Sequence, residues 1–149
     1  MNFIKSIFYI FLPIILGSVV GFLISGYMDY ETLIKPFLAP PKILFPIAWS
    51  IIYLLMGISY YIFRKNDCDT KISIIYYLQL IVNLLWSIIF FIFKARLFSI
   101  LWLVLLILLV AYLITLYLDK NKISAYLNIP YLVWLLFAFY LNVSIYFLN

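Results

Sequence analysis

The sequence predicts an all-α integral membrane protein, a single domain over residues 1–149 that forms a bundle of five transmembrane helices. Of the 149 residues, 69% are hydrophobic and 10% are charged, whereas soluble domains are about half apolar and a quarter charged. The charged residues leave five uncharged stretches of 23, 21, 22, 22 and 27 residues. A helix needs about 20 residues to cross the hydrocarbon core. The stretches are apolar on every side, which argues against the alternating strands of a membrane β-barrel.

The first stretch follows Lys5 and predicts a helix over about residues 6–26. A lysine before an apolar run also opens a signal peptide, but this stretch is too long, and no small-residue cleavage site follows Val20. Gly17 and Gly21 form a GxxxG pair on this helix. Because this spacing lets helix backbones approach closely, it predicts either a dimer face or close packing inside the bundle.

The connection between the first two helices is long, covers about residues 27–43, and contains Pro36, Pro40 and Pro41. Proline resists both helix and strand pairing and favours a stiff, extended backbone. Such a loop can be a lid over a site or a solvated connector. The proline content alone does not separate these two roles.

The other stretches predict helices over about residues 44–63, 72–93, 97–118 and 124–147. Pro130, in the last of them, lacks a backbone donor and therefore either kinks that helix or marks its start. Five crossings place the two termini on opposite sides of the membrane. Six basic residues then fall on the N-terminal side and four on the other, which favours a cytoplasmic N-terminus. We expect a multi-pass protein of a bacterial cytoplasmic membrane.

The composition also excludes several classes of function. The chain has no histidine, the commonest general base and zinc ligand, so we predict no metal site, no cofactor and no conventional catalytic group. All five acidic residues lie in predicted loops, which disfavours ion-coupled transport. The net charge is +5, but the basic residues are scattered beside apolar runs, so no nucleic-acid partner is predicted. Cys68 is the single cysteine, and no disulfide framework is possible.

Three predicted helices carry a face of aromatic, small and neutral polar residues, because residues four apart share a helix face. These faces consist of Trp49, Tyr53 and Gly57; Gln79, Asn83 and Ser87; and Trp134, Ala138 and Asn142. At about 1.5 Å per residue, Trp49, Asn83 and Trp134 fall between the midplane and the side of the long loop. The faces therefore predict either a pocket for a flat apolar ligand or hydrogen bonds that join helices.

Four segments together carry a recognisable pattern. Its residues are Tyr30, Leu33, Lys35, Pro36, Pro40 and Pro41 in the loop; Phe45, Trp49, Tyr53, Met56 and Gly57 in the second helix; Gln79, Asn83, Trp86 and Phe90 in the third; and Pro130, Tyr131, Trp134, Ala138, Leu141 and Asn142 in the fifth. With this pattern the whole chain resembles the translocator proteins, also called tryptophan-rich sensory proteins or peripheral benzodiazepine receptors, the TspO/MBR family.

The resemblance implies a fold, ligands and a site. Family members are five-helix membrane proteins, commonly dimeric, that bind porphyrins, synthetic isoquinoline-type ligands and, in the animal members, sterols, in a pocket under the first loop. By the resemblance, the cavity-lining residues are Trp49, Tyr53, Asn83, Trp134, Ala138 and Asn142, and the lid residues are Tyr30, Pro40 and Pro41. The chain departs from the family at Asp29 and Leu38, where aromatic residues are usual. These departures predict a lid that grips ligands less well.

Three hypotheses of function follow. The first is a receptor or carrier for porphyrin-type tetrapyrroles, whose propionates need cations at the cavity mouth. The basic residues on the lid side are Lys35, Lys42, Lys94 and Arg96. The second is light-dependent breakdown of protoporphyrin, to which some family members have been linked, with Trp49 and Trp134 as partners of the excited ring. The third is a ligand-free scaffold or regulatory subunit of another membrane protein.

Overall fold

The structure is a computed structural model that describes all of residues 1–149, and its regular elements are all helical. The helices are α1 (Phe3–Ile24), α2 (Leu44–Asn66), α3 (Thr70–Ser87), α4 (Arg96–Lys120), α5 (Lys122–Leu127) and α6 (Ile129–Leu148). A π-helical segment, Ile88–Ile92, extends α3, and two short 3-10 turns, Ser25–Tyr27 and Tyr30–Thr32, follow α1. With α5 and α6 counted as one segment, five segments are long and apolar enough to cross a membrane. This confirms the predicted fold class.

The outer surface of the bundle is covered by large apolar side chains. On α1, Phe11, Ile15 and Phe22 are all exposed. Only 11% of the most apolar part of α1 is buried in the protein, against 33–39% for the other four segments. Soluble proteins rarely expose such wide apolar surface, whereas hydrocarbon solvates it. The chain is therefore a multi-pass integral membrane protein, with α1 at the edge of the bundle.

The helices form a closed ring in the order α1, α2, α5 and α6, α4, α3, and back to α1. In this ring α2 packs on α5 much more than on α6. The helices α2 and α6 therefore leave space between them near the long loop. That end of the bundle also holds the end of α3 and the start of α4, as the alternating direction of the segments requires.

The tightest helix contact joins α1 to α2. A Cβ atom placed on Gly57 would collide with the backbone carbonyl oxygen of Ile10. A Cβ atom on Gly17 would likewise collide with the ring of Tyr53. Gly17 therefore serves close packing inside the bundle, one of the two interpretations of the GxxxG pair. A Cβ atom on Gly21 would meet no atom within 4 Å.

Pro130 lies in the first turn of α6. A proline costs little there, because the first helical N–H groups have no carbonyl partner in the helix. The short helix α5 precedes it, and the Asn121 side chain caps α5 by accepting from the backbone N–H of Ser124 at 3.0 Å. Pro130 therefore marks the start of α6, and the fifth segment is two consecutive helices.

Candidate functional site

A cavity of about 790 Å³ lies under the long loop, between α1, α2, α6 and the end of α3. Pockets for drug-sized ligands have volumes of about 300–1,000 Å³. Its principal lining residues are Gly17, Ser18, Gly21 and Ile24 from α1; Met28, Tyr30, Glu31, Pro41 and Lys42 from the loop; Phe45, Trp49 and Tyr53 from α2; Trp86, Ser87, Phe90 and Phe91 from α3 and its π-helical extension; and Trp134, Ala138, Leu141 and Asn142 from α6. The interior is mostly apolar and carries no charge, so it suits an apolar guest.

Most of the residues predicted to bind a ligand come together here. Those that line the cavity are Tyr30, Pro41, Trp49, Tyr53, Trp134, Ala138 and Asn142. Two predicted residues, Pro40 and Asn83, lie outside the lining. The loop does close over the cavity, which is the lid geometry rather than that of a free connector.

Asn83 is a correction to the predicted lining, because it lies behind the cavity wall. It is 1% exposed, and its Oδ1 accepts a hydrogen bond from the hydroxyl of Tyr53 at 2.6 Å. Its Nδ2 donates to the hydroxyl of Tyr131 at 2.6 Å, and Tyr131 donates to Gln79 Oε1 at 2.9 Å. The phenol of Tyr53 lies between Asn83 and the cavity. Asn83 and Gln79 therefore form hydrogen bonds between helices and do not contact a ligand.

Pro40 is placed one step from the cavity, within the lid. Its carbonyl accepts a hydrogen bond of 2.7 Å from the hydroxyl of Tyr30, which folds the loop back on itself. The Tyr30 ring packs edge-on against Phe45 at 5.0 Å. Burial, and then the nearby Glu31 carboxylate, raise the pKa of Tyr30, so its hydroxyl stays protonated and able to donate. Pro40 therefore positions a lining residue.

Aromatic rings form one wall of the cavity. Trp49 stacks on Tyr53 with ring centroids 5.5 Å apart and meets Trp134 edge-on at 6.3 Å. Trp134 also borders a shallow groove on the outer side of α2 and α6. Its indole N–H is buried and has no hydrogen-bond partner. Trp134 thus separates the cavity from the outer surface and is held only by packing.

Asn142 lines the cavity and also joins three helices. Its Oδ1 accepts from the indole N–H of Trp86 at 3.1 Å, and its Nδ2 donates to Ser99 Oγ at 3.1 Å. Both ends of the amide are therefore engaged within the protein. Asn142 therefore fits both interpretations of the polar faces, since it lines the pocket and also forms hydrogen bonds that join helices.

The lid is tied to the bundle at two points. The carboxylate of Asp29 accepts from Arg96 Nη2 at 2.6 Å, and Lys94 Nζ lies 3.7 Å from the same carboxylate. Further along the loop, the side-chain amide of Asn149 accepts from the backbone N–H of Ile34 and donates to its carbonyl, both at 3.0 Å. Asp29, one of the departures from the family pattern, is thus an anchor of the lid.

The helix α1 and the π-helical segment contribute lining residues that the sequence did not predict. From α1, Gly17, Ser18 and Gly21 line the cavity, and Phe90 and Phe91 line it from the π-helical turn. The small residues of α1 could have indicated this role, because a helix face of small side chains leaves room for a ligand as well as for a neighbouring helix. For the π-helical turn, Phe90 belongs to the family pattern, but no residue of the sequence indicates the turn itself or the position of Phe91.

The chain is thus a multi-pass helical membrane protein with an internal aromatic cavity under a loop. The sequence model of the TspO/MBR family matches residues 9–148, and the chain belongs to this family. It is 35% identical to the tryptophan-rich protein TspO of Archaeoglobus fulgidus, with 100% of this chain and 99% of that protein covered.

Relatives in other organisms are also similar to this chain over most of its length. The chain is 34% identical to protein CrtK of Rhodobacter capsulatus, covering 87% of this chain and 83% of that protein. It is 30% identical to the translocator protein homolog of Schizosaccharomyces pombe, with 92% and 87% covered. The match extends over bacterial, archaeal and fungal proteins.

Proposed function

We propose that this chain is a membrane receptor or carrier that binds porphyrin-type tetrapyrroles in the cavity under the loop. The observation that carries the proposal is a cavity of about 790 Å³ whose wall is built from Trp49, Tyr53 and Trp134. Aromatic rings favour flat guests through stacked and edge-on contacts. A macrocycle with an apolar face meets these rings without the burial of any charge.

Few polar groups of the lining are free to bond a ligand, which supports a mostly apolar ligand with few polar atoms. The hydroxyls of Tyr30 and Tyr53 are engaged within the protein, as is the amide of Asn142. The indole N–H of Trp134 has no partner and is buried. Buried donors are rarely left unpaired, so a ligand acceptor near Trp134 would satisfy it.

A titration with protoporphyrin in the dark tests the proposal. Trp49→Phe and Trp134→Phe should each weaken binding about three- to tenfold, since each removes part of an aromatic contact worth roughly 0.5–1.5 kcal/mol. Tryptophan quenching and pigment absorbance measure the affinity of the detergent-purified protein. Trp102→Phe is the matched control, because Trp102 donates to the carbonyl of Val82 at 2.8 Å and does not line the cavity. Unchanged affinity in both cavity variants, or only linear partitioning, would favour the scaffold hypothesis.

A steric variant tests the same cavity without altering an aromatic residue. Gly21 lines the cavity, and a Cβ atom there has open space around it, so the side chain of Gly21→Leu should occupy part of the cavity and weaken saturable binding. Gly26→Leu is the matched control, because Gly26 also has open space but lies outside the lining. Equal affinity of the Gly21 and Gly26 variants would place the ligand elsewhere.

A second candidate function is light-dependent breakdown of the bound porphyrin. The edge-on contact of Trp49 and Trp134 at 6.3 Å within the lining favours it, because indoles beside an excited ring are electron donors. The pigment, light and dioxygen would supply the chemistry, and the protein the orientation. Under light and oxygen, bleaching should slow in the Trp49→Phe/Trp134→Phe double variant at saturating pigment. Equal bleaching rates would exclude a role of these indoles.

A further inference from the structure

The cavity has only two charged residues in its lining, Glu31 and Lys42. Both are exposed, and both come from the loop, so they lie at the mouth and not in the interior. A ligand seated among the rings would therefore meet charge at one end only. This asymmetry suits an amphipathic guest with an apolar body and an ionic edge.

Lys42 differs from the other basic residues on the lid side. Lys35 Nζ donates to the backbone carbonyl of Tyr30 at 3.1 Å, and Lys94 and Arg96 share the carboxylate of Asp29. The ion pairs of the structure do not include Lys42. Of the lid-side cations, Lys42 alone lines the cavity and has no internal partner.

Glu31 is also free of an ion pair. The acids that pair with cations are Asp29, Asp67 and Asp69, and Lys42 does not lie within ion-pair distance of Glu31. The mouth thus presents one free cation and one free anion at separate positions. A ligand carboxylate at this edge would be attracted by Lys42 and repelled by Glu31.

We propose that Lys42 anchors a carboxylate of the ligand, and that Glu31 opposes it, so that an acidic planar ligand is held with its carboxylate at Lys42 and away from Glu31. This inference rests on the proposed function, because it concerns the same cavity. The ammonium group stands on a flexible four-carbon stem and can follow a carboxylate in several poses. At an exposed position this attraction is moderate and is screened by salt.

The test compares protoporphyrin IX with its dimethyl ester in neutral detergent, which leaves out anionic lipid headgroups as competing ligands. Lys42→Gln should weaken binding of the diacid about two- to fivefold, the range of an exposed ion pair, and leave the ester unchanged. Lys42→Arg should retain diacid binding. Glu31→Gln should strengthen diacid binding and leave ester binding unchanged. High salt should reduce the effects of Lys42→Gln and of Glu31→Gln on diacid affinity.

Lys65→Gln is the matched control. Lys65 is an exposed lysine at the other end of α2 and also makes no ion pair, so its loss should change neither affinity. Unchanged diacid affinity in Lys42→Gln, or equal weakening of diacid and ester binding, would overturn the inference. Saturable binding of the ester would still support the proposed function in that case. If neither compound binds saturably to the natural protein, the proposed function and this inference both fail.

Discussion

The carboxylate of Asp29 lies 2.6 Å from Nη2 of Arg96, a contact between the lid and the first turn of α4. The Asp29 side chain is 21% exposed and that of Arg96 is 15% exposed, so the pair is largely shielded from solvent. The guanidinium also stacks over Phe90, 4.1 Å from the ring centroid, and Phe90 lines the cavity. The lid and the cavity wall are thus coupled through one arginine.

Asp29→Asn should loosen the lid. The change removes the charge that pairs with Arg96 and leaves a largely buried guanidinium with a weaker partner, which costs about 1–3 kcal/mol. We expect a lower midpoint of thermal unfolding and faster protease cleavage within the loop. Glu31→Gln is the control, because this neighbouring acid has no ion pair and its loss should affect neither measurement. Cleavage of Asp29→Asn at the natural rate would contradict the anchoring role.

Gly57→Ala should destabilise the protein. Its Cβ atom would collide with the backbone oxygen of Ile10, and because backbone cannot rotate away, α1 must move off α2 at a cost of about 1–3 kcal/mol. Gly21→Ala has room for its methyl group and should be neutral or stabilising by up to about 1 kcal/mol, since alanine favours the helix. Unfolding in detergent measures both. Equal stability of the two variants would show that α1 and α2 do not pack this closely.

Asn83 and Tyr53 should be energetically coupled. Asn83→Leu leaves the Tyr53 hydroxyl without its acceptor, and Tyr53→Phe leaves the Asn83 amide without its donor, each at about 1–3 kcal/mol. The double variant should lose less than the sum of the two, with a coupling of about 0.5–3 kcal/mol. A double-mutant cycle on unfolding free energies measures this. Additive losses would mean that the hydrogen bond contributes nothing.

Stability at the end opposite the lid should fall in acid. The backbone N–H of Cys68 and then the Lys120 ammonium hold the pKa of Asp67 below its ordinary value; Lys120 Nζ lies 3.5 Å from this carboxylate. Because the pKa of Asp67 is lower in the folded state than in the unfolded state, its ionisation stabilises the protein at pH values above the unfolded-state pKa of about 3.9. This stabilisation is lost as the pH falls through the folded-state pKa.

Asp67→Asn tests this linkage. The variant should be less stable than the natural protein at neutral pH, and the difference should vanish at the lowest pH, as unfolding midpoints across the acid range would show. Asp119→Asn is the control at the same end, because Asp119 forms no ion pair. A difference that stays constant with pH would assign the loss to something other than ionisation.

Much of the fold follows from local properties of the chain. An apolar run longer than the hydrocarbon thickness has to satisfy its own backbone hydrogen bonds, and a helix does so. Five such runs therefore predict five helical segments. The aromatic faces at Trp49 and Trp134 follow from helical periodicity, which brings residues four apart onto one side.

Helical periodicity in the sequence indicates which residues share an inward face, but the packing of the bundle fixes which of them reach the cavity. Asn83 and Tyr53 both face inward, but the longer side chain of Tyr53 covers Asn83 and bonds to it. Whether Gly17 meets another chain or its own bundle depended on where α2 lies. The pairing of Asp29 with Arg96 joins residues far apart in the chain. Helical periodicity acts within one helix, whereas such contacts depend on the distances between helices, which arise only when the bundle packs.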